Sequence, residues 1–354
     1  MSVADTPHVP AVVETEPSLD LDNDSATTSA DEVSDSESAG GESDLDSSLG
    51  VEVQPSTVSL RSHVLRYREE NGRTYHAYKD GAYLMPNDDL ELSRLDLQHN
   101  LFLLTMGNKL HLAPLDREKP PQRVLDIGTG TGIWAIDFAD DNPASTVIGV
   151  DLSPVQPSYV PPNAYFQLED IEEDPWTFSQ KFDFIHSRMN TGGIRDFPAL
   201  FRRAYENLNP GGWIEVTDST PARSDDGTLT EDSALFQWCQ LLSKGTAALG
   251  TPFGAAPMYK EQLREAGFVN VNEVIFKWPT NEWARHPRHK ELGTWSYENA
   301  VMGVEGLCIA IFTRVLRWPK EKVDVFLAEV RNDLRNREIH AYWPIYVVYA
   351  QKPS

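Results

Sequence analysis

Short apolar runs alternate with amphipathic segments from about residue 123 to the end of the chain. The runs are bounded by polar residues and rich in branched and aromatic side chains, as strands are. They fall at residues 124–127, 146–150, 164–168, 181–187, 208–216, 269–278 and 346–350. Helical patterns separate these runs, the first of them at residues 133–139. This alternation of strands and helices favours an α/β fold with a parallel sheet and right-handed crossovers. We therefore predict a doubly wound, seven-stranded sheet.

Helical patterns precede and follow this core. Before the first strand, Pro86-Asn-Asp supplies a helix cap, and an apolar helical face follows it. That face consists of Leu90, Leu95, Leu97, Leu101, Phe102 and Leu104. Beyond residue 218, apolar spacing predicts helices at residues 232–249, 257–266, 294–316 and 319–334. Pro344 can occupy the start of the last strand but not its interior, because proline has no amide hydrogen for the ladder.

The first fifty residues differ in composition from the rest of the chain. They contain 13 Asp and Glu, no Lys or Arg and no aromatic residue, and they contribute much of the net charge of −23. Such a segment cannot bury enough apolar area to offset the entropy that it loses on ordering. We therefore predict a disordered acidic tail at residues 1–58 and a folded domain at residues 59–354.

Charge and hydropathy disfavour several functional classes. An acidic chain without a Lys/Arg cluster argues against direct nucleic-acid binding, which depends on cationic side chains. No apolar block follows a basic leader, so we expect no secretory signal. The longest apolar stretch, residues 301–316, is interrupted by charges and is too short to span a bilayer, so no membrane partner is expected. Two widely spaced cysteines are consistent with reduced thiols in the cytosol or nucleus.

Residues 124–134 read Val-Leu-Asp-Ile-Gly-Thr-Gly-Thr-Gly-Ile-Trp and place three glycines directly after the first strand. Gly128, Gly130 and Gly132 let the backbone approach a ligand, and the next helix points its free N–H groups at the same place. The second strand ends in Asp151, where a doubly wound fold hydrogen-bonds the ribose hydroxyls of a nucleoside. The pattern predicts a nucleoside-containing cofactor, and nicotinamide and adenosylmethionine enzymes share it.

The glycine spacing separates these two enzyme classes. A dinucleotide fingerprint is G-x-G-x-x-G, which would require a glycine at Ile133, whereas this turn is G-x-G-x-G preceded by Asp126. The third strand ends in Glu169-Asp170-Ile171, where the last two residues suit the edge and the face of an adenine ring. A nicotinamide oxidoreductase is therefore disfavoured.

This ordered set of motifs resembles the class I S-adenosylmethionine-dependent methyltransferases over residues 122–218. Four further segments resemble the fungal LaeA-like methyltransferases of secondary metabolism, so that the resemblance spans about residues 60–354. They are residues 73–83 (Arg-Thr-Tyr-His-Ala-Tyr-Lys-Asp-Gly-Ala-Tyr), 96–99 (Asp-Leu-Gln-His), 303–306 (Gly-Val-Glu-Gly) and 340–344 (His-Ala-Tyr-Trp-Pro).

The resemblance implies a Rossmann-like sheet whose last strand is antiparallel and lies between the fifth and the sixth. Residues 59–121 would form a helical N-terminal cap, residues 122–218 the cofactor-binding core, and residues 219–354 the acceptor side. The implied cofactor is S-adenosyl-L-methionine, and no metal is expected. The glycines would underlie its methionine part, Asp151 would hold the ribose hydroxyls, and Asp170 with Ile171 would meet the adenine. Asp126 and Leu152, at the same edge, complete the expected cofactor residues.

Transfer to an oxygen or nitrogen acceptor can also need a base. His186, just past the fourth strand, is the first candidate because a neutral imidazole can take a proton near pH 7. His99 is the second, in a segment that the resemblance places over the cofactor. A local structural role stays open for both. Five C-terminal tryptophans either line an apolar acceptor pocket or pack the core. They are Trp278, Trp283, Trp295, Trp318 and Trp343.

The sequence as a whole predicts a methyltransferase that acts on oxygen or nitrogen of a small molecule in fungal secondary metabolism. The alternative is a LaeA-like nuclear regulator of secondary-metabolite genes that works in a protein complex. The acidic tail would serve either as a partner-binding segment or as a solubilising one. No clear basic nuclear-import cluster is present, which favours the enzyme, and we expect the protein in the cytoplasm or the nucleus. Aminopropyl transfer on the same fold is disfavoured because no acidic diamine site is evident.

Overall fold

The computed structural model describes residues 67–79 and 83–354. A two-stranded hairpin, β1 (Arg68–Glu70) and β2 (Arg73–Tyr75), precedes the main sheet. The strands of the main sheet are β3 (Arg123–Ile127), β4 (Thr146–Asp151), β5 (Ala164–Leu168), β6 (Phe182–Arg188), β7 (Leu208–Ser219), β8 (Val269–Pro279) and β9 (Tyr342–Gln351). Their order is β5-β4-β3-β6-β7-β9-β8, with β9 antiparallel to β7 and β8. The predicted seven-stranded sheet with an antiparallel last strand is confirmed.

Helices cover both faces of this sheet. They are α1 (Asp89–Thr105), α2 (Ile133–Asp141), α3 (Phe197–Asn207), α4 (Ala234–Ala248), α5 (Tyr259–Glu265), α6 (Pro287–Gly306) and α7 (Lys320–Arg335), with a π-helix at Ile311–Val315. Leu125 packs with α3 and α5 on one face, whereas its neighbour Val124 packs with α2 on the other. Such two-sided burial explains why the central strands are continuously apolar rather than alternating. A separate apolar cluster joins α4, the π-helix and α7.

The register of the parallel ladders aligns the carboxyl ends of the central strands. Asp126 of β3 pairs with Gly149 of β4 on one side and with His186 of β6 on the other. Residues that follow these strands therefore meet at one edge of the sheet. Ligands of doubly wound folds bind at that edge, beside the point where the strand order reverses.

Several local elements differ from the sequence prediction. The cap contains a β-hairpin, whose turn residues Asn71 and Gly72 have φ of 55° and 77°, and an Asn-Gly pair is a strong signal for such a turn. Helix α3 was not predicted, although Asp196 caps it by accepting a hydrogen bond from the N–H of Ala199. Helix α6 starts earlier than predicted, at Pro287, which suits the first turn of a helix.

The prediction that Pro344 stands at the start of its strand was wrong. β9 begins at Tyr342, so the proline lies inside a strand that has β8 on one side. On the other side β7 ends at Ser219, and the carbonyl of Pro344 accepts a hydrogen bond from the N–H of Thr220 just beyond that end. The nitrogen of Pro344 faces the same side, so Thr220 and Pro344 share one hydrogen bond instead of the two of a regular antiparallel pair.

The predicted tail at residues 1–58 lies outside the described residues. Within residues 67–79 and 83–354, no helix has the length and apolar character needed to cross a membrane. In the same ranges, no group of His, Cys, Asp and Glu side chains is arranged to hold a metal ion.

Candidate active site

A cavity of about 250 Å³ opens at the edge of the sheet where β3, β4, β5 and β6 end. Its wall includes most of the residues predicted to hold the cofactor. They are Asp126, Gly128, Gly130, Asp151, Leu152, Asp170 and Ile171. Gly132, the remaining one, caps the amino end of α2 behind the wall. The structure brings the predicted residues to one cavity, and their roles toward the cofactor stay a prediction.

The three glycines of the loop meet different constraints. Gly128, Gly130 and Gly132 have φ of 66°, 56° and 81°, which side chains disfavour. A Cβ on Gly128 would lie 2.1 Å from Oδ1 of Asn190, and a Cβ on Gly132 would lie 2.5 Å from Cζ of Phe166. A Cβ on Gly130 would meet one side-chain atom, at 3.2 Å. Gly130 is therefore required mainly for its backbone angle, and the other two also for close packing.

Asp151 ends β4 and fixes the glycine loop. Its Oδ2 accepts a hydrogen bond from the N–H of Gly130 at 2.8 Å, and its Oδ1 accepts one from the N–H of Ser153 at 2.9 Å. Burial raises the pKa of the Asp151 carboxyl to about 6, although both amide bonds favour the charged form. Each carboxylate oxygen has two lone pairs, so the group can hold the loop and still accept hydrogen bonds from a ligand.

Asp170 and Ile171 follow β5 at the far end of the cavity. Oδ1 of Asp170 accepts a hydrogen bond from the N–H of Glu172, and its Oδ2 lies 2.9 Å from Nζ of Lys79. Lys79 also pairs with Glu173. Lys79 belongs to the segment before α1. Its ion pairs therefore connect this segment to the loop after β5, at the end of the cavity where the adenine is predicted to bind. The sequence pattern contained no signal for this contact.

His186 lies inside β6, two residues before its end, rather than just past the strand. Its Nδ1 is 2.7 Å from Oδ1 of Asp126, and its ring stacks on Trp134 with centroids 3.7 Å apart. Oδ2 of Asp126 accepts a hydrogen bond from Oγ1 of Thr129 in the glycine loop. Burial lowers the pKa of His186 to about 4, so the imidazole is neutral near pH 7 and donates from Nδ1 to Asp126. His186 thus holds Asp126 at the base of the loop.

Arg188 ends β6 and lies in the cavity wall beside α1. Its Nη2 donates a hydrogen bond to Nδ1 of His99 at 3.1 Å, and its guanidinium lies 4.7 Å from the ring centroid of Phe102. Nε2 of His99 is 2.9 Å from Oδ2 of Asp137 on α2. Since a guanidinium cannot accept a hydrogen bond, Nδ1 of His99 accepts and Nε2 donates to Asp137. Both nitrogens of His99 are therefore engaged, and the residue stands behind the cavity wall.

The other half of the cavity, here called the apolar chamber, lies toward α4, α6 and the beginning of β9. Its main wall residues are Leu235, Trp238, Leu242, Phe253, Trp278 and Trp343. Of the five tryptophans weighed from the sequence, Trp278 and Trp343 line the chamber and the other three do not. Trp238 was missed as a cavity residue. Its helical spacing with Leu235 and Leu242 indicates a buried face but not which space that face borders.

One ion pair stands in the wall next to the apolar chamber. Arg94 donates from Nε and Nη2 to the two carboxylate oxygens of Glu91, at 3.0 and 2.7 Å, and from Nη1 to Asn299 at 2.7 Å. A Cβ on Gly303 would lie 2.9 Å from Cδ of Arg94, so this glycine makes room for the arginine. The charge of Arg94 is neutralised within the wall, which leaves the chamber apolar in character.

Comparison with known proteins identifies similar chains of two kinds. A model of the methyltransferase domain matches residues 97–273. The methyltransferase pytC of Aspergillus terreus is 41% identical over 305 residues, 86% of this chain and 93% of pytC. The probable methyltransferase tdiE of Emericella nidulans is 38% identical over 300 residues, 84% of this chain and 92% of tdiE. The secondary metabolism regulator LAE1 of Cochliobolus heterostrophus is 38% identical over 290 residues, 80% of this chain and 94% of LAE1.

Proposed function

The chain belongs to the methyltransferase-domain family of fungal secondary metabolism, and on that premise we propose that it methylates an oxygen or nitrogen of an apolar small molecule. The methyl donor is S-adenosyl-L-methionine, which supplies an electrophilic methyl group on a sulfonium. The observation that carries the proposal is the apolar chamber, which is continuous with the cavity around the glycine loop. Pockets for small molecules are mostly apolar and aromatic, with few polar groups.

The residues at the sheet edge fit this cofactor. Asp151 is a carboxylate with free lone pairs, and it would accept hydrogen bonds from the two ribose hydroxyls. Asp170 and Ile171 would meet the edge and the face of the adenine. The glycine loop, with Asp126 fixed beneath it, would hold the methionine part. Leu152 would complete the wall beside the ribose.

Catalysis by this chain would rest mainly on placing the acceptor. Methyl transfer is an in-line displacement, and holding the two reactants in the right geometry can supply much of the barrier reduction. The tryptophans of the apolar chamber would orient a flat acceptor and exclude water from the reacting centre. Of the two candidate bases, His99 has both ring nitrogens engaged, whereas His186 is bonded to Asp126 through Nδ1 alone. The ring of His186 is stacked on Trp134, and burial lowers its pKa to about 4, which makes it a weak base near pH 7. We therefore propose that His186 positions Asp126 rather than taking the acceptor proton.

His186→Gln tests the role of His186. We expect a lower melting temperature and weaker binding of S-adenosylhomocysteine, because glutamine cannot stack on Trp134 and holds Asp126 less firmly. The single-turnover rate of cofactor-bound enzyme should stay close to the parental rate. A catalytic base would give the opposite result, an unchanged affinity and a rate lowered by roughly 10²-fold or more.

A regulatory role is the second candidate function, because LAE1 is as similar to this chain as tdiE is. A regulator would methylate a protein or act as a subunit of a complex, and the acidic tail would offer a binding segment. The enzyme would work in the cytoplasm and the regulator in the nucleus. The apolar chamber favours the enzyme, since a binding role for the tail does not require an enclosed space beside the cofactor.

Ala300→Phe tests whether the apolar chamber receives the acceptor. Ala300 lies in the chamber wall on α6, so the added ring would occupy acceptor space and leave the glycine loop untouched. With a panel of phenols, hydroxyquinones and indoles, we expect formation of S-adenosylhomocysteine to fall by roughly 10-fold or more. Affinity for S-adenosylhomocysteine, measured by calorimetry, should not change.

Ala328→Phe is the matched control, because Ala328 is exposed on α7 and should tolerate the ring. Parental turnover in the Ala300→Phe variant would exclude the chamber as the acceptor site. Methylation of a protein substrate, with none of any small molecule, would instead support the regulator.

A further inference from the structure

Arg188 is a cation of the cavity wall for which the described residues supply no carboxylate within ion-pair distance. The two other arginines of the wall are paired: Arg94 with Glu91, and Arg195 with Glu172. Arg188 has one hydrogen bond, to Nδ1 of His99, and lies over the ring of Phe102. A guanidinium has five N–H donors in a fork that matches a carboxylate. Most of the donors of Arg188 are therefore available.

Such an arrangement is costly unless a ligand completes it. A charge that is largely buried is stabilised in proteins by a directly paired opposite charge or by several hydrogen bonds. The carboxylates of Asp126, Asp137 and Glu215 attract Arg188 only through space, without direct contact. Burial lowers the pKa of Arg188 to about 10, which still leaves it charged near pH 7. An anion in the cavity would therefore bind here in preference to the apolar chamber.

The order of the strands indicates which part of a ligand reaches Arg188. Along the edge of the sheet, β5, β4, β3 and β6 are consecutive neighbours. They carry, in that order, Asp170, Asp151, the glycine loop and Arg188. A cofactor with its adenine at Asp170 and its ribose at Asp151 would extend its methionine part past the glycine loop toward β6. The end of that part carries a carboxylate.

We propose that Arg188 binds the carboxylate of the methionine part of the cofactor, and that His99 and Asp137 position its guanidinium. The proposal rests on the proposed function and adds a contact that the sequence pattern did not indicate. His99 accepts from Arg188 and donates to Asp137, so it fixes one side of the guanidinium and leaves the other side to the cavity. His99 is then a positioning residue and not a base.

The test compares two ligands that differ by the carboxylate alone: S-adenosylmethionine and its decarboxylated analogue. Arg188→Met should weaken binding of S-adenosylmethionine by roughly 10- to 100-fold, as measured by calorimetry, because a charge-assisted bidentate contact is lost. Binding of the decarboxylated analogue should stay near the parental value, which also shows that the variant is folded. Arg188→Lys keeps the charge but not the forked geometry, so its affinity for S-adenosylmethionine should lie between those of the parent and of Arg188→Met.

Arg195→Met is the matched control, because Arg195 is a cation of the same wall that already has a carboxylate partner. It should leave the ratio of the two affinities unchanged. His99→Phe keeps a ring but removes both hydrogen bonds, and it should weaken S-adenosylmethionine selectively, by less than Arg188→Met does. If His99→Phe weakens both ligands equally, His99 has a general structural role and its positioning role is excluded.

The outcomes distinguish this inference from the proposed function. If the parent protein binds neither ligand, the cofactor assignment itself fails. If the parent binds both and Arg188→Met weakens both equally or neither, the carboxylate contact is excluded. If that variant binds the cofactor normally but shows a raised KM for carboxylated acceptors alone, Arg188 belongs to the acceptor site and the inference is overturned.

Discussion

Asp151→Ala should lower the affinity for S-adenosylhomocysteine by about 100-fold or more, since hydrogen bonds to a charged group contribute about 1.5 to 3 kcal/mol each. Two losses combine in this variant. The ribose hydroxyls would lose their proposed acceptor, and the N–H of Gly130 loses the carboxylate oxygen that fixes the loop. Calorimetry gives the affinity, and the melting temperature without ligand reports the state of the fold.

Asp151→Asn separates the two losses. An asparagine has one acceptor oxygen and no charge, so it can restore a loop contact but not the charge-assisted bonds to the ribose. We expect it to recover the melting temperature more fully than the affinity. Parental affinity in Asp151→Ala, with a parental melting temperature, would exclude Asp151 from the cofactor site.

The raised pKa of Asp151 gives an independent check through pH. Burial raises this pKa to about 6, so cofactor affinity should fall as the pH drops below 6 and the carboxyl becomes protonated. The stability of the ligand-free protein should change in the opposite direction. Its folded pKa exceeds the ordinary value of 3.8, so folding penalises the ionised form, and this penalty is relieved as the pH falls through 6. Asp218 and Glu215, whose pKa values burial raises to about 7, act in the same sense.

Elements with strong local signals were predictable from the sequence. The strands from β3 to β6 are marked by short apolar runs, and the glycine loop by three spaced glycines in one turn. The position of Asp151 follows from the end of a strand and the rule for ligand sites in doubly wound sheets. These signals depend on neighbouring residues, so they can be read without knowing the tertiary structure.

Contacts between distant parts of the chain were not predictable in this way. His99, Asp137 and Arg188 stand on α1, α2 and β6, and only the packing of those elements brings them together. The ion pair of Lys79 with Asp170 likewise depends on where the cap lies over the sheet. Sequence spacing placed His186 at the right edge but could not show that its Nδ1 is bonded to Asp126.

Pro344 shows that the rule on proline in β-strands cannot be applied from the local sequence alone. Proline removes a ladder hydrogen bond only where a neighbouring strand offers a partner on that side. Pro344 lies opposite Thr220, the first residue beyond the end of β7, so only the last pair of this ladder lacks a bond, and β9 can extend past the proline to Tyr342. The length of an adjacent strand decides the outcome, and the local sequence around Pro344 does not contain it.

Gly130→Val should abolish measurable cofactor binding. Gly130 has a φ of 56°, which a branched residue strongly disfavours, and its N–H donates to Asp151. A valine would either rotate the backbone out of this conformation, breaking that bond, or keep it and project a branched side chain from the cavity wall toward Leu95. Both results remove the surface on which the methionine part would lie. Calorimetry with S-adenosylhomocysteine measures the loss.

Gly227→Val is the matched control for backbone strain. Gly227 has a φ of 75° and open space around its Cβ position, and it is not part of the cavity wall. Strain at a left-handed position costs of order 1 to 3 kcal/mol, so both variants should have lower melting temperatures. Gly130→Val alone should lose the cofactor, because it alone changes the loop that Asp151 holds. Equal affinities in the two variants would show that the glycine loop is not the cofactor site.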